Sequence, residues 1–298
     1  MKLIAIGSVA FDSVKTPFGE VERAVGGSAT YFSLCASYFA DTAVVGVVGE
    51  DFTEREFALF HEKGIDTRQI RREKGKSFFW KGVYNNINEA ETLATELNVF
   101  ADFRPEIHPD FRSTPVVFLG NIDPDLQIHV LDQMKKPAVV GLDTMNLWIN
   151  LKLDALVAAL RRVDILFIND GEARMLSGER NLLRAAAKIR SMGPKALVIK
   201  RGEYGAAGFF EDEVRLLPAF PVEEARDTTG AGDSFAGGFM GYIASQGRMD
   251  RRDFGLALRY GTVMASFNVE DFSVERVRRL TFPEITDRLE RFRRMLAE

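Results

Sequence analysis

A mostly parallel α/β sheet with helices on both faces, interrupted once by a small all-β excursion, is the fold class this sequence predicts. Short Val- and Ile-rich runs alternate with stretches of helical periodicity, the pattern of strands buried on both faces and joined by crossover helices. The alternation fails between 77 and 99, where two β-prone segments follow one another with no helix between them. With 298 residues, 46% of them hydrophobic, the chain can also bury a substantial core.

Taken in order, Lys2-Leu3-Ile4-Ala5-Ile6-Gly7 is the first strand. An extended piece over 12–24 follows, interrupted by Pro17 and Gly19, and Gly26-Gly27-Ser28 then opens a helix over 28–40. A strand over 43–49 leads to a helix over 53–63. Segments 77–83 and 92–99 form a hairpin, joined through Asn85-Asn86-Ile87-Asn88; it is either a projecting lid or an ordinary edge hairpin. Four strands, 116–120, 138–143, 165–169 and 196–200, are spaced by helices over 124–134, 154–161 and 181–192. Helices over 233–245, 252–267 and 283–296 complete the chain. No repeat, low-complexity tract or linker divides it, so residues 1–298 read as a single domain.

The formal net charge is −4, and the Arg-rich stretches are interleaved with Glu and Asp, a solvated helix face and not a nucleic-acid footprint. The single cysteine, Cys35, lies in an apolar run, allows no internal disulfide and suggests a reducing compartment. The chain starts directly on a strand with no leader and contains no apolar stretch of about 18 residues, so the cytoplasm is expected and a membrane partner is not. The three histidines stand far apart, with no zinc-site spacing.

The run Asp227-Thr228-Thr229-Gly230-Ala231-Gly232-Asp233-Ser234-Phe235 carries the most chemistry. A helix start leaves its first N–H groups without partners, and the peptide dipoles add roughly half a positive charge there. An anion fits such a place. Gly230 and Gly232 leave the backbone open, and Asp233 stands beside the anion as a carboxylate able to take a proton from an attacking hydroxyl. The alternative is a helix N-terminus whose glycines serve only close packing. A dinucleotide fingerprint beginning at Gly230 fails at Phe235, and Gly75-Lys76-Ser77 fails as a P-loop at Ile70.

The run DTTGAGDSF, followed by Ala236-Gly237-Gly238-Phe239, resembles the C-terminal signature of the PfkB or ribokinase-like sugar and nucleoside kinases. That resemblance implies a three-layer ribokinase-like α/β/α fold whose β-lid is built from about 12–24 and 77–100 and is often used for homodimerisation. It implies ATP as phosphoryl donor and a small-molecule sugar as acceptor, with a nucleoside as the alternative. Asp233 would be the catalytic base, and Gly230, Ala231 and Gly232 the anion hole. Asn169 and Glu172, in Asn169-Asp170-Gly171-Glu172, resemble an NxxE motif that organises magnesium through water, although Asp170 could be only an N-cap and Glu172 only a first-turn acid. Lys200, Arg201, Gly202, Gly205 and Thr228 fall on the nucleotide side; Lys200-Arg201 departs from the Thr-Leu expected there, and Arg201 either reaches a phosphate or is solvated. Asp227 and Thr229 are candidates for a potassium site. Asp12, Gly26 and Gly27 match the acceptor side. Asp143 and Asn146 either join that floor or cap local turns. Phe78, Phe79, Trp80 and Tyr84 crowd the lid, to stack on a base or to pack an interface or the lid's own core. Two other classes compete: a silent sugar-binding regulator of the same fold, and a nicotinamide dehydrogenase.

Overall fold

The computed structural model describes residues 1–86 and 89–296. Its strands are β1 (Leu3–Ile6), β2 (Ala10–Thr16), β3 (Gly19–Gly26), β4 (Thr42–Val48), β5 (Asp66–Arg72), β6 (Phe78–Asn86), β7 (Glu89–Glu96), β8 (Val116–Leu119), β9 (Val139–Asp143), β10 (Ile165–Asn169), β11 (Ala196–Lys200), β12 (Ala206–Phe210) and β13 (Glu213–Leu217). Its helices are α1 (Ser28–Ala36), α2 (Glu54–His61), α3 (Pro124–Gln133), α4 (Asn146–Leu151), α5 (Leu153–Leu160), α6 (Asp170–Ser177), α7 (Leu182–Arg190), α8 (Ala231–Gln246), α9 (Arg251–Asn268), α10 (Glu275–Arg278) and α11 (Phe282–Met295).

A nine-stranded sheet runs β13-β12-β11-β10-β9-β8-β1-β4-β5, parallel from β11 to β5, with β12 and β13 turning back antiparallel at one edge. Side chains alternate between its faces. Ile4 and Ile6 of β1 enter one hydrophobic core, together with residues of α3, α5 and α7, while Leu3 and Ala5 enter another with α8 and α9. Strand order departs in opposite directions from β1, toward β4 on one side and β8 on the other. In open α/β sheets, ligands bind at the carboxyl ends of the strands beside such a switch point.

Helix α8 is fixed there by close backbone packing. A Cβ on Gly237 would lie 2.3 Å from the Phe32 carbonyl oxygen of α1, and one on Gly241 2.8 Å from Ala36 Cα. On the other side, a Cβ on Gly261 of α9 would lie 2.9 Å from the Phe235 carbonyl. Helix-interior glycines each cost about 0.5–1 kcal/mol relative to alanine. Here they let three helices approach closely enough to hold the start of α8 in place.

The second sheet has the order β3-β2-β6-β7, with β2 parallel to β6. The extended piece expected over 12–24 is in fact two strands, β2 and β3, because the chain reverses between Thr16 and Gly19, whose φ is +145°. Part of the expected hairpin turn, Ile87 and Asn88, lies outside the described residues. Strand β5 was not expected: as an edge strand it buries only Ile70, so its sequence is mostly charged. Strands β12 and β13 and the short helices α4 and α6 were also not expected, and α1 stops at Ala36 instead of continuing to 40. Cys35 is fully buried in α1, and burial pushes its thiol up to about 12, so it packs as a small hydrophobe. Among the described residues no helix is long and apolar enough to cross a membrane.

Candidate active site

Asp233 is the third residue of α8, and the turn before that helix explains what surrounds it. Gly230, at the N-cap position, has a φ of +72°, and no side chain caps the helix. The turn closes through Ala231 N–H to the Thr228 carbonyl (3.2 Å) and Ser234 N–H to the Gly230 carbonyl (2.8 Å). Among the described residues, the amides of Gly232 and Asp233 have no backbone acceptor, which leaves donors at the positive end of the helix dipole.

A buried network holds that turn. Asp227 accepts from the Thr229 amide through Oδ1 and from the Ser273 amide through Oδ2, each at 2.9 Å. Asn268 of α9 donates to the Thr229 carbonyl (2.8 Å) and accepts from Ser234 Oγ (2.9 Å). Thr229 Oγ1 also lies 3.0 Å from the Tyr84 hydroxyl of β6, so the small sheet is tied directly to the turn. Asp227 and Thr229 thus act here as braces.

Asp12 of β2 is buried, and a Cβ on Gly26 would fall 1.9 Å from its Oδ2, so only glycine fits beside it. Burial pushes Asp12 up to about 7, with the Gly27 amide opposing and Asp227 adding to the rise. The Tyr31 hydroxyl lies beside the same carboxyl and holds it down slightly, and it is buried without a well-formed hydrogen bond among the described residues. Burial likewise pushes Asp233 up to about 8; Asp143 and Asp12 reinforce this, and Lys200 opposes it. Asp12, Asp143 and Asp233 therefore belong to one electrostatic site although they come from three separate elements.

At the neighbouring strand end, Asn169 and Glu172 form a reciprocal cap on α6: Glu172 N–H donates to Asn169 Oδ1 (2.7 Å), and Asn169 N–H to Glu172 Oε2 (2.9 Å). The cap is Asn169 and not Asp170, whose carboxylate pairs instead with Arg174. Burial raises Glu172 to about 6, against the Asn169 amide and Lys200. The cap engages Oε2 and leaves Oε1 out of it, and a carboxylate oxygen of that kind suits magnesium held mainly by phosphate and water. Asn169→Ala should cost about 1 kcal/mol in a denaturant titration by removing the cap, and Asn169→Ser should restore most of it.

Residues 2–277 match the pfkB family carbohydrate kinase. The chain belongs to the PfkB family of carbohydrate kinases. A cytidine kinase of Thermococcus kodakarensis is 29% identical over 83% of this chain and 90% of that one. A nucleoside kinase of Methanothermobacter thermautotrophicus is 26% identical over 90% of this chain and 89% of its own. In structure, a putative ribokinase II from E. coli in complex with ATP and magnesium superimposes with a TM-score of 0.78 at 19% identity, covering 97% of this chain and 99% of that one. This PfkB kinase is thus an ATP-dependent phosphotransferase acting on a hydroxyl of a sugar or nucleoside.

The PfkB kinase brings together Asp12, Gly26, Gly27, Asp143, Asp233 and Lys200, and leaves others apart. Asn146 is exposed in the first turn of α4, three residues past the buried Asp143. Gly202 (φ +55°) and Gly205 (φ +86°) shape a short turn closed by the Arg201 amide on the Gly205 carbonyl at 2.8 Å. A Cβ on Gly205 would lie 2.0 Å from the Leu217 carbonyl, so backbone packing against the end of β13 already requires that glycine. Tyr31 and Asn268 were not expected at the site.

Proposed function

We propose that Asp233 takes the proton of the acceptor hydroxyl while the turn Gly230-Ala231-Gly232, closed by the Ala231 amide on the Thr228 carbonyl, holds the transferring phosphoryl group with the open amides of Gly230 and Gly232. The observation that carries this reading is an uncapped helix start with its own carboxylate, facing buried acids from β2 and β9. The acceptor oxygen bonds to the γ-phosphorus, the bond to the ADP oxygen breaks, and the proton passes to the Asp233 carboxylate. Such a base is typically worth roughly 10²- to 10⁴-fold in rate. Magnesium, when bound, neutralises phosphate charge; Asn169 and Glu172 are the residues that would organise it. The β3-β2-β6-β7 sheet serves as the lid, and excluding water beneath it strengthens every charge interaction in the site.

The acceptor is read as a polyol ring gripped by Asp12, whose carboxylate can take two hydroxyl donors, with the Tyr31 hydroxyl beside it. The two near-full-length relatives favour the ribose of a nucleoside over a free sugar. Trp80 is in register with Asp12 across β2 and β6, on the same face of the lid, and its indole lies across Gly82, where a Cβ would sit 2.2 Å from Cη2. That ring offers a base a stacking surface. An ADP-release assay with cytidine and with D-ribose, each in potassium and in tetramethylammonium, tests the set. Turnover on cytidine should exceed that on ribose by about tenfold or more, the size of a single good contact, and potassium should raise it through the Asp227-Thr229 turn. Absence of ADP release with both acceptors would exclude cytidine and D-ribose and move the search to other sugars and nucleosides.

A further inference from the structure

Strand β11 ends on Lys200, whose side chain passes the end of β10 to reach Asp143 at the end of β9, with Nζ to Oδ2 at 2.7 Å. Asp143 is fixed by a second bond, its Oδ1 accepting the Thr144 amide at 2.8 Å. On the way the ammonium runs beneath the first turn of α8. A Cβ on Gly232 would lie 2.9 Å from Lys200 Nζ, so the lysine fills the space that a side chain on the anion-hole residue would take.

Lys200 is 18% exposed and Asp143 6%, so the charge is largely withdrawn from water. An ammonium carries three donors, and among the described residues only Asp143 accepts one. Burial opposes the charge on Lys200, yet Asp143, Asp233 and Glu172 more than offset this and hold it above the ordinary lysine range. A purely structural pair would be expected to meet its remaining donors inside the protein. This one keeps them next to an uncapped helix start.

We propose that Lys200 is a catalytic residue: anchored on Asp143, its ammonium completes the anion hole of α8 and contacts the phosphoryl group during transfer. The proposal rests on reading the α8 turn as the phosphoryl site. The acceptor O–P bond forms, the bond to the ADP oxygen breaks with its electron pair leaving on ADP, and the acceptor proton goes to Asp233. Lys200 keeps its proton throughout and supplies charge alone. The pair also joins a strand end expected on the nucleotide side to one expected on the acceptor side, so it sets both relative to the reacting phosphorus.

The test is calorimetry on the full chain with magnesium ADP, with and without tetrafluoroaluminate as a mimic of the transferring group, in the presence of cytidine or D-ribose. Wild type should bind ADP more tightly when the mimic is present. Lys200→Met should lose on the order of 10- to 100-fold of that tightening, the worth of one hydrogen bond from a charged donor, and Lys200→Arg should keep part of it. Because Lys200→Met strands Asp143 without its partner, Lys200→Met/Asp143→Asn is measured alongside, with thermal melting to confirm folding. Undiminished tightening in the double variant would overturn the role of Lys200 and leave the phosphoryl site standing. No tightening in wild type would overturn the reading of the site itself, and the proposal with it.

Discussion

Asp233→Asn is expected to lose roughly 10²- to 10⁴-fold in kcat, while KM for ATP moves by less than about threefold, because the interaction removed is made with the proton in flight and not with bound nucleotide. Asparagine keeps the shape and takes no proton. Wild-type kcat/KM should also rise with pH as Asp233 ionises, and that limb should vanish in the variant. A variant that keeps both turnover and the limb would place the base elsewhere.

The same substitution carries a stability signature with a definite sign. In the folded chain Asp233 is pushed from 3.8 up to about 8, first by burial and then by Asp143. Between those values the folded state holds a proton that the unfolded state has released, so the contribution to stability is complete below about 4 and is lost as pH rises through 8. The asparagine of the variant cannot ionise and escapes that loss. Melting of the nucleotide-free protein should therefore show Asp233→Asn gaining on wild type between about pH 5 and about pH 8.5. Asp12, raised to about 7, remains in both proteins, so the variant still declines over this range, only less steeply.

How much of this could be read from the chain depends on how local each feature is. The turn and its open amides lie within Asp227 to Asp233, together with the carboxylate proposed as base, and the run from Asp227 to Phe235 was enough to expect a helix start there. The core strands were legible for a related reason: a parallel strand buried on both faces is an unbroken apolar run, as in β10 and β11. Strand β5 escaped notice because an edge buries only one of its seven side chains, and charge fills most of the rest. Asn169 and Glu172 were singled out by the resemblance to an NxxE motif, yet that spacing is also the spacing of a reciprocal helix cap, and the structure shows them making it. Lys200 with Asp143 is the opposite case. They lie 57 positions apart, and only the order β9-β10-β11 together with a glycine in α8 makes the contact. Tyr31 was not expected at the site, because nothing local reveals that its ring packs against Gly230.

That support makes Gly230→Ala the most damaging small substitution in the turn. The new methyl would sit 2.3 Å from Tyr31 Cγ and 2.4 Å from both Cδ atoms, against a ring that is itself 2% exposed and packed in the core. Alanine at a φ of +72° also enters the left-handed region, at a cost of about 1–2 kcal/mol. Overpacking adds about 1–3 kcal/mol, so denaturant titration should show a loss on the order of 2–5 kcal/mol. The turn cannot relax freely, since Asp227, Asn268 and Tyr84 grip it from three directions. Any shift is passed to the amides beside the phosphoryl group, where a displacement of about 1 Å is worth roughly 10²-fold in rate. A double-mutant cycle separates the two causes: Tyr31→Ala carries a cavity cost of its own, and measured against that single variant Gly230→Ala should lose only the backbone share. Gly232→Ala is the control. Its methyl would meet Lys200 Nζ at 2.9 Å, the end of a side chain that can shift but is paired with Asp143, and its backbone is not in the left-handed region, so it should cost less stability than Gly230→Ala while still lowering turnover, because the displaced group is the ammonium that borders the anion hole. Equal stability losses at the two glycines would mean that Tyr31 is not what holds this turn in shape.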